Sequence, residues 1–272
     1  VASYDEIKRR IKDSDPEAVA RRTRGFLLAS IIVTLGLYFA PYGFVIGLPL
    51  IWLSTLVHEL GHGFTAAVLG GHFDKFVMFP DASGAATWSA PGSFGPVRRA
   101  LVAAGGLVGP AVVAALGFML ARKPKWAQVT LLVGVFALAA IAVLVVRNGF
   151  GWGFVAVLGL ILGVLATRKN PEIAQLALVF LSTQLAMAVF SRSDYLFTEY
   201  AETAQGRMPS DVAHISEALF GPYWLWGGLC GVFSVAVLGL GVWVFFRGFD
   251  DFSLRKLWRK RGAAKAKTKT KA

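Results

Sequence analysis

Apolar residues in this chain fall in long continuous runs, broken by short clusters of charge, Pro and Gly, and only in places alternate with polar ones. In hydrocarbon, a run of that kind satisfies its backbone groups internally when it is helical, so each run reads as a membrane span. The pattern predicts spans at Gly25–Ala40, Phe44–Leu69, Ala100–Ala121, Gln128–Val146, Phe150–Ala166, Ile173–Phe190 and Tyr223–Phe246. Pro41 with Gly43, Arg122 to Lys125, Arg147 to Gly151 and Arg168 to Pro171 supply the turns between them. Ahead of the first run, Ser14 or Asp15 is placed to cap a helix that has Pro16 in its first turn and Glu17 at its positive dipole end.

Two stretches lack this character. Gly70 to Pro96 carries Phe73 to Phe79, a turn at Pro80, Asp81, Ser83 and Gly84, and then Ala85 to Ala90, which predicts two short strands. Ser191 to Pro222 is polar, with Asp194, Glu199, Glu202, Asp211, His214 and Glu217, and is expected at an interface or in water. The fold class is therefore an all-α integral membrane protein of about six or seven transmembrane helices with a small β-hairpin. The count carries a tension: seven spans would separate the basic ends across the bilayer, whereas the charge rule wants both in the cytoplasm. The short first run and the third, which contains Pro110, are the candidates for an irregular segment.

Composition agrees with a bilayer as solvent. Of 272 residues, 56% are hydrophobic and 16% charged, and the mean hydropathy is +0.59. The formal charge of +12 concentrates at the ends, which divides the chain into a basic segment 1–24, a polytopic domain 25–246 and a basic tail 247–272. Basic clusters beside apolar helices meet the cytoplasmic side or anionic lipid, so nucleic acid is not expected as a partner. The last stretch, Ala263 to Ala272, has no apolar residue larger than Ala and is expected to be disordered. Asp5, Glu6, Asp13, Asp15 and Glu17 interrupt the basic N-terminal stretch, unlike a cleaved signal peptide. Cys230 is the only cysteine, which excludes an internal disulfide and a thiolate metal cluster.

The chemistry is concentrated in the second run, at His58, Glu59, Leu60, Gly61 and His62. Histidines at i and i+4 share one helix face with Cβ atoms about 5–6 Å apart, so both imidazoles can reach one Zn²⁺ at about 2.0–2.1 Å. Glu59 is then held beside the ion, where a metal-activated water needs a base to take its proton. His58 follows Phe44 by 14 residues, which is about 20 Å along a helix crossing about 30 Å of hydrocarbon. Ionisable groups at that depth cost several kcal/mol unless partnered, and a bound metal would offset the cost. Gly105, Gly106, Gly109 and Gly117 in the next span suit close helix packing.

With the motif on an early span, a Gly-rich hairpin from Gly70 to Pro96 and Gly109-Pro110 in the following span, the sequence resembles the site-2 protease family of intramembrane zinc metalloproteases, and most its shorter bacterial members. The resemblance covers roughly Phe44 to Ala121 and extends to about Asp194. It implies regulated cleavage of membrane-anchored protein substrates, in a bacterial cell membrane. It also marks departures: Val113 stands where the family often has a substrate-positioning Asn, and the family's third-ligand motif, Asp-Gly with Asn and Pro upstream, finds only Asp194-Tyr195 with Ala186 and Val189.

A catalytic zinc takes three protein ligands and keeps one position open. Asp194, directly after an apolar run, is the expected third ligand, with Glu199, Glu202 and His214 as fallbacks; His72, beside Asp74 in a Gly-rich turn, is expected to be an exposed loop residue. A strand edge of the hairpin would also suit an unwound substrate, whose freed backbone groups need partners. The expected activity is a zinc metalloendopeptidase. The alternatives are a transporter or channel holding a cation at intramembrane charges, and a family member that binds membrane proteins without cutting them.

Overall fold

A computed structural model describes residues 16–39, 42–92, 94–191, 196–203 and 206–247. The elements are α1 (Pro16–Phe39), α2 (Gly43–Val68), β1 (His72–Met78), β2 (Gly84–Ser89), α3 (Pro96–Ala121), α4 (Pro124–Leu144), α5 (Gly149–Ala166), α6 (Pro171–Ser191), β3 (Tyr200–Thr203), β4 (Gly206–Pro209), α7 (Asp211–Leu219) and α8 (Tyr223–Arg247). Among the described residues, six helices are long and apolar enough to cross a membrane, namely α2 to α6 and α8. The first expected run is the exception, since its apolar part within α1, Arg24–Gly36, is shorter than these. The segment 263–272, expected to be disordered, lies outside the described residues.

Helix α3 is the central post, with 61% of its most apolar window buried against 22% for α4 and α5. It packs on α2, α6, α7 and α8, and its glycines make the first of these contacts close. A Cβ on Gly105 would overlap the Thr65 hydroxyl, and one on Gly61 would overlap the Gly105 carbonyl. Pro110 sits inside α3 without ending it. Buried Phe118, Leu131, Leu138, Val155, Leu178 and Phe245 form the main apolar cluster around α3 to α6 and α8. Helix α1 is tied to α6 by a hydrogen bond from Gln184 Nε2 to Thr34 Oγ1.

Strands β1 and β2 form the expected antiparallel hairpin, each one residue earlier than the sequence pattern suggests. Asp81 closes the turn by accepting bonds from Ser83 N at 2.9 Å and Ser83 Oγ at 2.7 Å. The outer edge of β1 is occupied. Phe76 N donates to Val145 O at 2.7 Å and Arg147 N to Phe76 O at 2.9 Å, while Asn148 exchanges two bonds with the Met78 backbone at 3.2 and 2.6 Å. Phe76 faces Ala86 across the hairpin, so the backbone groups of Ala86 point the other way, along the outer edge of β2. A second antiparallel hairpin, β3–β4, and the short helix α7 occupy the stretch expected to be merely polar.

Candidate metal centre

The motif helix places His58, Glu59 and His62 in its C-terminal half, with α3 alongside and the β1–β2 hairpin above. The two imidazoles stand nearly perpendicular, at 87°, and bring their Nε2 atoms to 3.2 Å of each other. Nδ1 of His62 donates to Val102 O of α3 at 2.8 Å. With Nδ1 committed to that bond, Nε2 is the ring nitrogen left to face a cation. Gly106 makes room for the same ring, since a Cβ there would overlap it.

A carboxylate from α7 completes the group. Asp211 Oδ2 lies 3.1 Å from His58 Nε2 and Oδ1 lies 3.3 Å from His62 Nε2, all three side chains being 12–27% exposed. Ser210 caps α7 by accepting a bond from Ala213 N at 3.2 Å, and buried Val212, Ile215 and Ala218 seat the helix in a cluster with Ala100, Ala103 and Leu107 of α3. Burial alone would raise the Asp211 carboxyl, but the two imidazoles beside it outweigh that and hold it well below the usual carboxylate range.

These donors fit a zinc ion. The two Nε2 atoms, 3.2 Å apart, match the ~3.3 Å edge of a tetrahedron whose corners lie ~2.0 Å from its centre, and Asp211 turns a different oxygen to each of them, at 3.1 and 3.3 Å. The three residues form the one group of three or more potential ligands found among the described residues, all within 4.8 Å of one another. Two nitrogens and one carboxylate leave a fourth position open, as catalytic zinc requires. Glu59, 9% exposed, accepts a bond from Ala86 N of β2 at 2.8 Å through Oε2. Gly84 lets the hairpin come that close, because a Cβ there would sit 3.1 Å from Glu59 Cγ. A cavity of about 430 Å³ joins the three donors, Glu59 and the inner faces of both hairpins.

Residues 27–241 match the family model described as Peptidase M50B-like. The chain belongs to this family. No curated protein and no solved structure matches it. The family is one of membrane metalloproteases of the site-2 type, and the six apolar helices make this M50B-like chain an integral membrane protein.

Of the expected site residues, His58, Glu59 and His62 meet in one cavity. Asp194 lies outside the described residues. Among the fallbacks, Glu199 is exposed, Glu202 lies in β3, and His214 lines the cavity one turn beyond Asp211. His72 is exposed, as expected, but opens β1 instead of sitting in a turn. Val113 is 44% exposed. Sequence reasoning passed over Asp211 because it sought a carboxylate directly after an apolar run. The available signal was the Ser210-Asp211 pair ahead of Val212, Ile215 and Ala218, a capped helix start whose apolar face would carry the carboxylate inward.

Proposed function

We propose that this M50B-like protein is an intramembrane zinc metalloendopeptidase that hydrolyses peptide bonds of membrane-anchored protein substrates. His58, His62 and Asp211 would hold the ion, and Glu59 is the general base. The observation that carries the proposal is the meeting of three donors, within 4.8 Å of one another, in the cavity that also holds Glu59. When bound, zinc supplies Lewis acidity toward a water and a scissile carbonyl. Glu59 takes the proton of the attacking water and returns it to the departing amine. The Ala86 N–H restrains one oxygen of that carboxylate, and the outer edge of β2 offers backbone groups to a substrate stretch that has lost its helical hydrogen bonds. The setting we propose is a bacterial cell membrane, with the basic ends meeting anionic lipid.

The test uses the full chain purified with lipid and a membrane-anchored reporter. Glu59→Gln abolishes cleavage and keeps about one zinc per chain. His58→Ala and Asp211→Ala lose the metal, while Asp194→Ala retains it. Full activity in the Glu59 variant ends the assignment, and loss of zinc from the Asp194 variant alone replaces Asp211 in the ligand set. Wild-type protein that holds zinc and cuts no substrate would instead be a binding member of the family.

A further inference from the structure

Asp211 is the one donor that does not come from the motif helix, so something must aim it. It is the first residue of a nine-residue helix, reached only after the chain has left α6 and run through the β3–β4 hairpin. Such a carboxylate has little local framework of its own. Its position relative to α2 depends on how the start of α7 is held.

The residue that holds it is Ser210, which is 4% exposed. Its hydroxyl donates to Thr198 O at 2.6 Å and accepts from Ala213 N at 3.2 Å. Its backbone N donates to Glu199 O at 2.9 Å, and its backbone O accepts from His214 N at 3.0 Å. Thr198 and Glu199 lead into β3, and Pro209, the last residue of β4, pairs with Tyr200. One side chain therefore fastens the root of the β3–β4 hairpin to the first turn of α7, directly beside the carboxylate that faces both histidines.

We infer that Ser210 is a positioning residue for the metal centre: by tying the hairpin root to α7 it sets Asp211 at ligand distance from His58 and His62. The inference rests on Asp211 being a zinc ligand. It extends the machinery to the β3–β4 hairpin, whose Ala201, Met208 and Pro209 line the same cavity. Outer groups that orient metal ligands are commonly worth ten- to hundredfold in metal affinity. An ordinary helix cap would have no such effect, and this separates the two roles.

The substitutions can be chosen to split them. Glycine is an N-cap nearly as good as serine, but it lacks the hydroxyl that reaches Thr198. Threonine keeps it. Zinc affinity of the full-length protein is measured by competition with a chelator, and Co²⁺ substituted at the site reports coordination by its visible spectrum. The metal-free Tm is followed in parallel.

The expected result is that Ser210→Gly and Ser210→Ala weaken zinc binding roughly ten- to hundredfold and alter the Co²⁺ spectrum. Ser210→Thr stays near wild type, and the metal-free Tm of Ser210→Gly stays near that of the parent. Wild-type affinity in Ser210→Gly, with Asp211→Ala strongly weakened, overturns the role of Ser210 and leaves the ligand set standing. Wild-type affinity in Asp211→Ala removes the ligand itself and this inference with it. Should the glycine and alanine variants fail to fold, Ser210→Cys, near serine in size but a poor hydrogen-bond partner, decides instead: weakened zinc affinity in the folded cysteine variant supports the role of the hydroxyl tie, and wild-type affinity overturns it.

Discussion

At the scale of single residues, the centre depends as much on an absent side chain as on those present. Gly106 occupies the position on α3 where any Cβ would overlap the His62 ring, so Gly106→Ala has to push the imidazole off its bond with Val102 O. A helical Gly→Ala change alone favours the helix by up to about 1 kcal/mol, which makes a good control available. Gly134 on α4 meets only Leu162 Cδ1, at 3.6 Å, and its alanine variant should keep or gain stability. Gly106→Ala is expected to weaken zinc binding roughly ten- to hundredfold, read by chelator competition. Equal zinc affinity in the two variants would show that the ring does not need the space. The motif itself was legible in the sequence because its geometry is local, two histidines one helical turn apart around Glu59. The part played by Gly106 was not. Its spacing suggests packing, which holds for Gly105 against Thr65, but its meeting with His62 depends on the register between α2 and α3. Asp211 was hidden for the same kind of reason, since its nearness to His58 is a matter of tertiary structure and not of spacing along the chain.

At the scale of elements, the β1–β2 hairpin is asymmetric in a way that bears on catalysis. The backbone of Val145 and Arg147 and the side chain of Asn148 cover the outer edge of β1, while the outer edge of β2 turns Ala86 N toward Glu59. Proline at position 86 removes that N–H and leaves the three donors untouched. A hydrogen bond to a charged group contributes about 1.5–3 kcal/mol, so Ala86→Pro is expected to slow cleavage about tenfold or more at full zinc occupancy. Turnover at the wild-type rate in the zinc-loaded variant would detach β2 from the role proposed for Glu59. This hairpin was readable from the sequence to within one residue because Gly70, Gly71, Pro80 and Gly84 punctuate it. The β3–β4 hairpin was not, for its strands have four residues each and β4 lacks an alternating apolar pattern. Helix α7 is likewise too short to give more than two turns of signal, and it is packing on α3 that holds it in place.

At the scale of the whole molecule, the number of helices able to cross a membrane bears on where the charges go. Among the described residues six helices from α2 to α8 are long and apolar enough to cross; six crossings return the chain to the face from which α2 departs, whereas seven would part the basic clusters. The α3–α4 turn with Arg122 and Lys123, the α5–α6 turn with Arg168 and Lys169, and the end of α8 at Arg247 then share one face. Both hairpins and α7 share the other. The packing supports this grouping. Gln128 of α4 donates to Ala166 O at 2.6 Å and Gln175 of α6 to Ala121 O at 2.8 Å, so the two basic turns are neighbours, and β1 is bound to the α4–α5 connection at the far end. Single cysteines at Lys123, Lys169, Asp74 and Arg207, introduced with Cys230→Ser, would be labelled by a membrane-impermeant thiol reagent in sealed vesicles of known orientation. Lys123 and Lys169 should react from one side, and Asp74 and Arg207 from the other. If Lys123 and Asp74 were labelled from the same side, α3 would not cross the bilayer. The site would then lose the membrane setting in which buried ionisable side chains are costly unless partnered.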